Sequence, residues 1–201
     1  MRPHYLVGWT VFGTISRLLW GMRATGGQAV PERGAVVIAC NHISNWDPVL
    51  VGLACRRELH FMAKEELFRI RPFGAFIRAY NALPVRRGAL DRRALAAALS
   101  VLRKGGALLV FPEGTRSRTG DLGDARPGVA YLASAGGAVL VPAAIAGSHE
   151  LSKALLRRRR VRVAFGEPLE AGSAQTREEY VALTDRVMES IAKLRAALEA
   201  A

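Results

Sequence analysis

Cysteine is scarce in this chain of 201 residues, which has only Cys40 and Cys55. Two thiols cannot form the disulfide framework of a small secreted scaffold, so the sequence predicts a reducing, intracellular setting. The four histidines lack the spacing of metal ligands, and we expect no metal and no cofactor. A Walker loop and a Rossmann glycine fingerprint are also missing, which excludes the nucleotide sites that those motifs form.

The sequence also lacks the elbow that carries the nucleophile of many serine hydrolases. Ser134 has Leu132 where the first glycine of Gly-x-Ser-x-Gly would stand. Cys40 is a second candidate nucleophile, but it ends an apolar run, which favours a small buried core residue. A histidine base without a protein nucleophile would activate a substrate hydroxyl or water directly.

No apolar run is long enough for a comfortable membrane span of about 20 residues. The longest, Tyr5–Met22, is interrupted by Arg17, and no small-residue cleavage site of a secretory signal follows it closely. Trp9 and Trp20, with the flanking arginines, are typical of a helix lying in the bilayer interface, which we predict for residues 1–25. The alternative is a helix packed on the domain core.

Positive charge is abundant. Lys and Arg outnumber Asp and Glu by 29 to 17, a formal net charge of +12, which favours a polyanionic partner. The run Arg157–Arg160 has no aromatic residues interleaved, so lipid headgroups suit it better than nucleic acid, and a solvated loop is the alternative. We predict a peripheral, monotopic protein on the cytoplasmic face of the cell membrane, with an anionic membrane surface as partner and no nucleic acid.

Short apolar segments alternate with helical patterns over residues 30–201. This alternation predicts a single α/β domain with a largely parallel central sheet flanked by helices. The predicted strands are 35–40, 58–63, 83–85, 107–111, 138–145 and 161–165. The predicted helices are 47–55, 65–80 in pieces, 91–104, 127–135 and 176–199.

Two polar motifs directly follow strand-like runs. The segment Asn41–Asp47 contains His42, a candidate general base, and Asp47, a candidate carboxylate to orient it. From this motif alone an alternative is equally good, in which Asp47 caps a helix that has Pro48 at its first position. The segment Phe111–Ser117 joins a carboxylate, a glycine turn and an arginine. In α/β folds the carboxyl ends of the strands gather the active site, so the two motifs can meet.

Cations also follow the predicted strands. Lys64, Arg86, Arg87 and Arg116 each come just after a strand-like run. Converging Lys and Arg side chains at a sheet edge form a phosphate clamp, in which arginine makes bidentate contacts. Each of them taken singly is better explained as a solvent-exposed charge.

These motifs together resemble the glycerolipid acyltransferase family, in particular its 1-acylglycerol-3-phosphate O-acyltransferases, over roughly residues 30–170. The resemblance lies in four segments in order: Asn41-His42…Asp47; Ala63–Leu67 with Pro72-Phe73-Gly74 and Leu83–Arg87; Phe111–Ser117; and Val141-Pro142-Ala143. The first resembles the family's His-x4-Asp motif and implies that His42 is the base and Asp47 its partner. Arg87 fills the arginine position of the second segment, and Arg86 stands where many members carry an acidic residue.

The resemblance implies a fold, an activity and a set of substrates. A fatty acyl group would pass from acyl-CoA or acyl-carrier protein to the sn-2 hydroxyl of 1-acylglycerol 3-phosphate, a membrane lipid, giving phosphatidic acid for phospholipid synthesis. Lys64, Arg116 and Arg87 would hold the substrate phosphate. Glu113 and Gly114, with Thr115, would shape the site, and no metal or acyl-enzyme is required.

Three alternatives stay open. An acyltransferase of the same family would use lyso-ornithine lipid or glycerol 3-phosphate as acceptor, a thioesterase would use water, and a non-enzymatic module would only bind anionic membranes or nucleic acid. The intact third segment argues against the last, because a charge-driven binder needs no such arrangement. The sequence gives no indication of acyl-chain length, of the donor, of the oxyanion-stabilising group or of the oligomeric state.

Overall fold

The computed structural model describes residues 1–86, 91–117, 119–151, 160–172 and 174–200. Its sheet has eight strands, in the spatial order β1-β7-β6-β2-β5-β3-β4, and β8 pairs with β6. Two predicted features, Arg87 and Arg157–Arg159, lie outside the described residues. The strands are β1 (Arg23–Thr25), β2 (Val36–Cys40), β3 (Leu59–Lys64), β4 (Ala82–Val85), β5 (Ala107–Val110), β6 (Val139–Ala146), β7 (Arg162–Phe165) and β8 (Leu169–Glu170).

The sheet is mostly parallel. Strands β6, β2, β5, β3 and β4 run in one direction, while β7 and β8 pair antiparallel with β6. Every residue of β2 and β5 is buried, as expected of central parallel strands covered on both faces. The predicted α/β class with a largely parallel sheet is confirmed, and all six predicted strands are present within a residue or two.

Helices cover both faces of the sheet. Val36 and Ile38 of β2 face a core that includes residues of α2, whereas Val37 and Ala39 face a core shared with α4, α5 and α6. This alternation follows from the twofold period of a strand. The helices are α1 (Pro3–Trp20), α2 (Asp47–Ala54), α3 (Phe73–Ala79), α4 (Arg92–Arg103), α5 (Gly128–Ala135) and α6 (Arg177–Ala200), with 3₁₀ turns at Gly27–Ala29, Glu65–Arg69 and Ser148–Glu150.

The N-terminal helix α1 packs against the domain through one face. The Trp9 indole donates a hydrogen bond to the Cys55 carbonyl at 2.9 Å, and Tyr5 accepts one from the Leu59 amide at 3.2 Å. Trp20 also packs against the core, so both tryptophans of this helix face inward rather than away from the domain. Directly after α1, residues 23–25 form edge strand β1 against β7.

The opposite face of α1 is apolar and exposed. The helix thus packs on the domain core through one face, as the alternative interpretation predicted, and leaves another apolar face exposed. In the described ranges, no helix has an apolar stretch long enough to cross a bilayer. The exposed residues of this face are Leu6, Val7, Val11, Phe12, Ile15, Leu18 and Leu19.

Candidate active site

His42 and Asp47 form a buried hydrogen-bonded pair at the carboxyl edge of the sheet. His42 follows β2, and its Nδ1 lies 2.8 Å from Oδ2 of Asp47. Asp47 is fully buried, and only 7% of His42 is exposed. With Nδ1 bonded to the carboxylate, Nε2 is the ring nitrogen that can take a proton from a substrate, as in a catalytic triad.

Asp47 owes its orientation to the turn between β2 and α2. The same Oδ2 accepts the backbone N–H groups of Ile43 and Ser44, both at 2.7 Å. Trp46 occupies the N-cap position of α2, and no side chain caps this end of the helix. The capping alternative is therefore wrong, because the Asp47 carboxylate bonds back toward His42 and not forward into α2.

Ser148 is a site residue that the sequence analysis missed. Its hydroxyl donates a hydrogen bond of 2.5 Å to Oδ1 of Asp47, and the residue is 1% exposed. Both carboxylate oxygens of Asp47 are thus hydrogen-bonded. The sequence signal that singled out His42 was a polar residue just after an apolar strand. The same signal was available for Ser148, which comes just after β6.

Glu113 braces the loop that carries His42. One carboxylate oxygen accepts the His42 backbone N–H and the other the Gly123 backbone N–H, each at 3.0 Å. The residue is buried. Its carboxylate therefore joins the loops after β2 and β5, and both of its oxygens are used within the protein.

The turn after β5 is fixed against the same loop. Gly114 has φ of +69°, a left-handed conformation that favours glycine, and its N–H bonds the Phe111 carbonyl at 3.0 Å. The Ser117 N–H donates to the His42 carbonyl at 2.8 Å, which places the exposed Thr115 and Arg116 beside the histidine loop.

The Phe111 ring packs against one face of the His42 imidazole. The two rings stack with centroids 4.0 Å apart and planes inclined by 16°. On the other side of β2, the Asn41 side chain makes a pair of hydrogen bonds with the backbone of Ile145 in β6, at 2.8 and 3.0 Å. His42 is thus held by its backbone, its ring nitrogen and its ring face.

The predicted cations lie at the same sheet edge. Lys64 ends β3 and is exposed, and Arg86 directly follows β4, whose Val85 pairs with Lys64. The Arg86 guanidinium binds the carboxylate of Glu65 at 2.7 Å, so part of its hydrogen-bonding capacity is used on the surface. The structure therefore brings Lys64, Arg86 and Arg116 to the edge that carries His42.

Cys40, the alternative nucleophile, is a core residue. It is fully buried at the end of β2, and this burial raises the pKa of its thiol well above the ordinary range. A thiol that stays protonated near neutral pH is a poor nucleophile. Burial and a raised thiol pKa therefore argue against Cys40 as the nucleophile.

Comparisons with known proteins identify the family of the chain. Residues 21–146 match the family model described as Acyltransferase. A 1-acyl-sn-glycerol-3-phosphate acyltransferase of Bacillus subtilis is 30% identical over 190 residues, which cover 92% of this chain and 94% of that protein. The enzyme of that name from Streptococcus pneumoniae is 30% identical over 79% of this chain and 61% of its own length.

The fold also has a match among solved structures. The 1-acyl-sn-glycerophosphate acyltransferase of Thermotoga maritima superimposes with a TM-score of 0.78 at 24% identity, covering all of this chain and 85% of that one. At this identity the match concerns the fold alone. The shared architecture is a single α/β domain with a mostly parallel sheet.

Proposed function

This chain belongs to the acyltransferase family and is an enzyme, and we propose that its acceptor is 1-acylglycerol 3-phosphate, which it converts to phosphatidic acid for phospholipid synthesis. The observation that carries the proposal is the buried His42–Asp47 pair at the carboxyl edge of the sheet. The names of two relatives at 30% identity support the choice of acceptor.

The acceptor enters with its phosphate on the cations of the sheet edge. Lys64 and Arg116, with Arg86 or Arg87, supply the positive charge for it. His42 takes the proton of the sn-2 hydroxyl on Nε2, and Asp47 stabilises the resulting imidazolium through Nδ1.

The acyl donor is a thioester, of CoA or of acyl-carrier protein. The sn-2 oxygen attacks the thioester carbonyl to form a tetrahedral intermediate, and the carbon–sulfur bond then breaks. His42 returns its proton to the thiolate that leaves, so the products are phosphatidic acid and a free thiol. The protein's own nucleophiles and a cofactor have no part in these steps.

Release of free thiol tests the base assignment. We expect purified protein in mixed micelles to release CoA from acyl-CoA only when 1-acylglycerol 3-phosphate is present. The substitution His42→Ala should lower this rate by ~10²–10⁴-fold, the usual contribution of a general base. Phosphatidic acid is measured in parallel.

Cys40→Ala is the matched control, because Cys40 lies two residues away at the end of the same strand. It should keep most of the activity, since no acyl group passes through the thiol. Near-normal turnover by His42→Ala would remove His42 from the mechanism. Thiol release that is independent of acceptor would instead identify a thioesterase.

Other acceptors of the same chemical kind are separated by competition. Lyso-ornithine lipid presents a free hydroxyl on an amide-linked acyl chain but no phosphate. Glycerol 3-phosphate presents free hydroxyls and a phosphate but no acyl chain. A panel at equal concentration ranks the acceptors by kcat/KM. If either alternative ranks above the proposed acceptor, that acceptor is wrong while the acyltransferase activity remains.

We also propose a peripheral position on the cytoplasmic face of the cell membrane. The exposed apolar face of α1 continues onto α3, because the centroids of the Phe12 and Phe76 rings lie 6.3 Å apart. Ile70 and Phe73 extend the same surface. We call these residues, with the exposed face of α1, the apolar surface. The net charge of +12 supports an anionic lipid partner and the membrane lipid as substrate.

A further inference from the structure

A second basic region lies on the other side of His42 from Lys64 and Arg86. It is a cavity of about 650 Å³ whose walls include Arg160, Arg162 and Arg195. Among the described residues that line this cavity, Glu199 is the only one with a carboxylate, so positive charge exceeds negative charge there. We call it the basic cavity.

The fold places the basic cavity beside the catalytic loop. Asn41 and Ile43, the chain neighbours of His42 on either side, both line it, and so does Ser117, whose N–H bonds the His42 carbonyl. The end of β6 contributes Gly147, directly before Ser148. The cavity therefore borders the same hydrogen-bonded unit that holds the His42–Asp47 pair.

The strand order separates the two basic regions. The basic cavity is built on β6 and β7, whereas Lys64 and Arg86 follow β3 and β4. Between β6 and β3 stand β2 and β5, so the two regions are about three strand spacings, roughly 14 Å, apart. His42 follows β2 and lies between them.

The cavity walls are held by the fold. Gly147 has φ of +79°, and a Cβ at this position would lie 2.5 Å from the Arg160 carbonyl oxygen. The glycine therefore allows the segment after β6 to approach the segment before β7 closely. Arg162 is fixed by a hydrogen bond of 2.6 Å to the Leu198 carbonyl at the end of α6, and Arg195 by Glu199 at 2.7 Å.

We propose that the basic cavity binds the phosphate of a phosphopantetheine thioester, the acyl donor. The inference rests on the proposed function, in which two anionic substrates meet at His42. The cations after β3, β4 and β5 take the acceptor phosphate, and the basic cavity takes the donor phosphate from the opposite side. The phosphopantetheine arm is common to CoA and acyl-carrier protein.

Two substitutions test the cavity. Arg160→Gln and Arg195→Gln each remove one charge and keep a polar side chain of similar length. We expect each to raise KM for acyl-CoA about tenfold, the effect of losing one charge-assisted hydrogen bond to phosphate, and to leave KM for the lipid acceptor unchanged. Arg186→Gln is the control, since Arg186 is exposed on α6 nine residues before Arg195, on the opposite side of the helix.

The donor series identifies the group that is bound. With one acyl chain throughout, the donors are acyl-CoA, acyl-carrier protein, S-acyl phosphopantetheine and S-acyl pantetheine, which lacks phosphate. The two variants should lose activity with the phosphate-bearing donors and match the parent protein with S-acyl pantetheine. An equal loss for acyl-CoA, S-acyl phosphopantetheine and the carrier protein supports the shared phosphate. A larger loss for acyl-CoA than for S-acyl phosphopantetheine would overturn that assignment in favour of the nucleotide phosphates of CoA.

Calorimetric binding of CoA without an acyl group gives a readout that is independent of catalysis. Both variants should bind CoA about tenfold more weakly than the parent and the Arg186→Gln control. The assignment would be overturned if both variants kept the CoA affinity and the donor KM of the parent, or if the acceptor KM rose instead. Acceptor-dependent acyl transfer, and with it the proposed function, would be unaffected by that result. Absence of acceptor-dependent transfer in the parent protein would instead overturn the proposed function.

Discussion

Asp47 shows how a buried charge is retained at the residue scale. A carboxylate without solvent contact is costly unless its oxygens are hydrogen-bonded. Here Oδ2 faces His42 Nδ1 and two backbone N–H groups, and Oδ1 accepts from Ser148. These donors compensate the lost hydration and fix the direction in which the carboxylate faces the imidazole.

Ser148 is therefore expected to act as a positioning residue. Ser148→Ala leaves Oδ1 without this donor, and a hydrogen bond to a charged group is worth ~1.5–3 kcal/mol. If ~1.4 kcal/mol of that is lost in the transition state, kcat falls about tenfold. The KM values of both substrates should stay near those of the parent, because Ser148 touches Asp47 and neither substrate. Steady-state kinetics measures the split.

Two further variants isolate the hydroxyl. Ser148→Thr keeps it and should retain most of kcat. Ser134→Ala makes the same chemical change at a serine that bonds the Ala171 carbonyl at 3.3 Å, and it should leave kcat unchanged. Parent-like kcat in Ser148→Ala would show that the backbone N–H groups alone position Asp47.

The sequence predicted the residues that depend on local spacing. His42 and Asp47 lie five positions apart, so one turn between strand and helix brings them together. Ser148 lies 101 residues from Asp47, and only the pairing of β6 beside β2 makes them neighbours. The role of Glu113 as a brace between two loops also depends on tertiary contacts that spacing does not encode.

At the scale of elements, strands were predictable in proportion to their apolar length. The central strands are apolar runs buried on both faces, and their pattern is unambiguous. The missed strands, β1 and β8, have three and two residues, and β1 is exposed throughout. Such short segments form only because a neighbouring strand offers hydrogen-bonding partners.

Helix caps are local features, formed by residues within four positions of one another. Thr176 and Glu179 exchange the two bonds of a capping box at the start of α6, and Asp91 accepts two N–H groups at the start of α4. For α1, the sequence left open whether the helix lies in the bilayer interface or packs on the domain core. Both tryptophans pack against the core, and the Trp9 indole also donates a hydrogen bond to the Cys55 carbonyl.

Close contact between α1 and Tyr80, the residue after α3, depends on glycine. A Cβ at Gly8 would lie 2.1 Å from the Tyr80 hydroxyl oxygen, whereas at Gly13 its nearest neighbour is the flexible end of Arg17 at 3.2 Å. Gly→Ala adds the same helix propensity at both sites. We expect Gly8→Ala to have a free energy of unfolding about 2 kcal/mol below that of Gly13→Ala, because of overpacking. Urea denaturation measures the difference.

A double mutant confirms the cause. Tyr80→Ala removes the ring that Gly8→Ala would strike, so the two substitutions together should cost less than the sum of their separate effects. Equal stability of Gly8→Ala and Gly13→Ala would mean that the Tyr80 ring moves aside freely, and that α1 is not held by this contact.

At the scale of the whole molecule, the proposed membrane attachment would draw on two kinds of attraction that differ in origin. The net charge of +12 acts over a Debye length of about 10 Å at ~0.1 M salt and weakens as salt is added. The apolar surface acts only in contact and is insensitive to salt. Deleting α1 would remove only its part of the apolar surface and would also uncover the core that Tyr5 and Trp9 protect, so point substitutions on the exposed face give the cleaner test.

Val7 and Leu18 are suited to that test, being 63% and 78% exposed. Eleven residues apart on α1, they point in nearly the same direction. Val7→Glu with Leu18→Glu should reduce sedimentation with anionic vesicles at least tenfold, since burying one such side chain is worth ~1.5–3 kcal/mol. Val181→Glu with Ala182→Glu, at two exposed positions on α6, is the matched control that adds the same two charges, and it should bind nearly as the parent does. Vesicle binding that is equal in all three proteins and abolished by salt would assign attachment to charge alone.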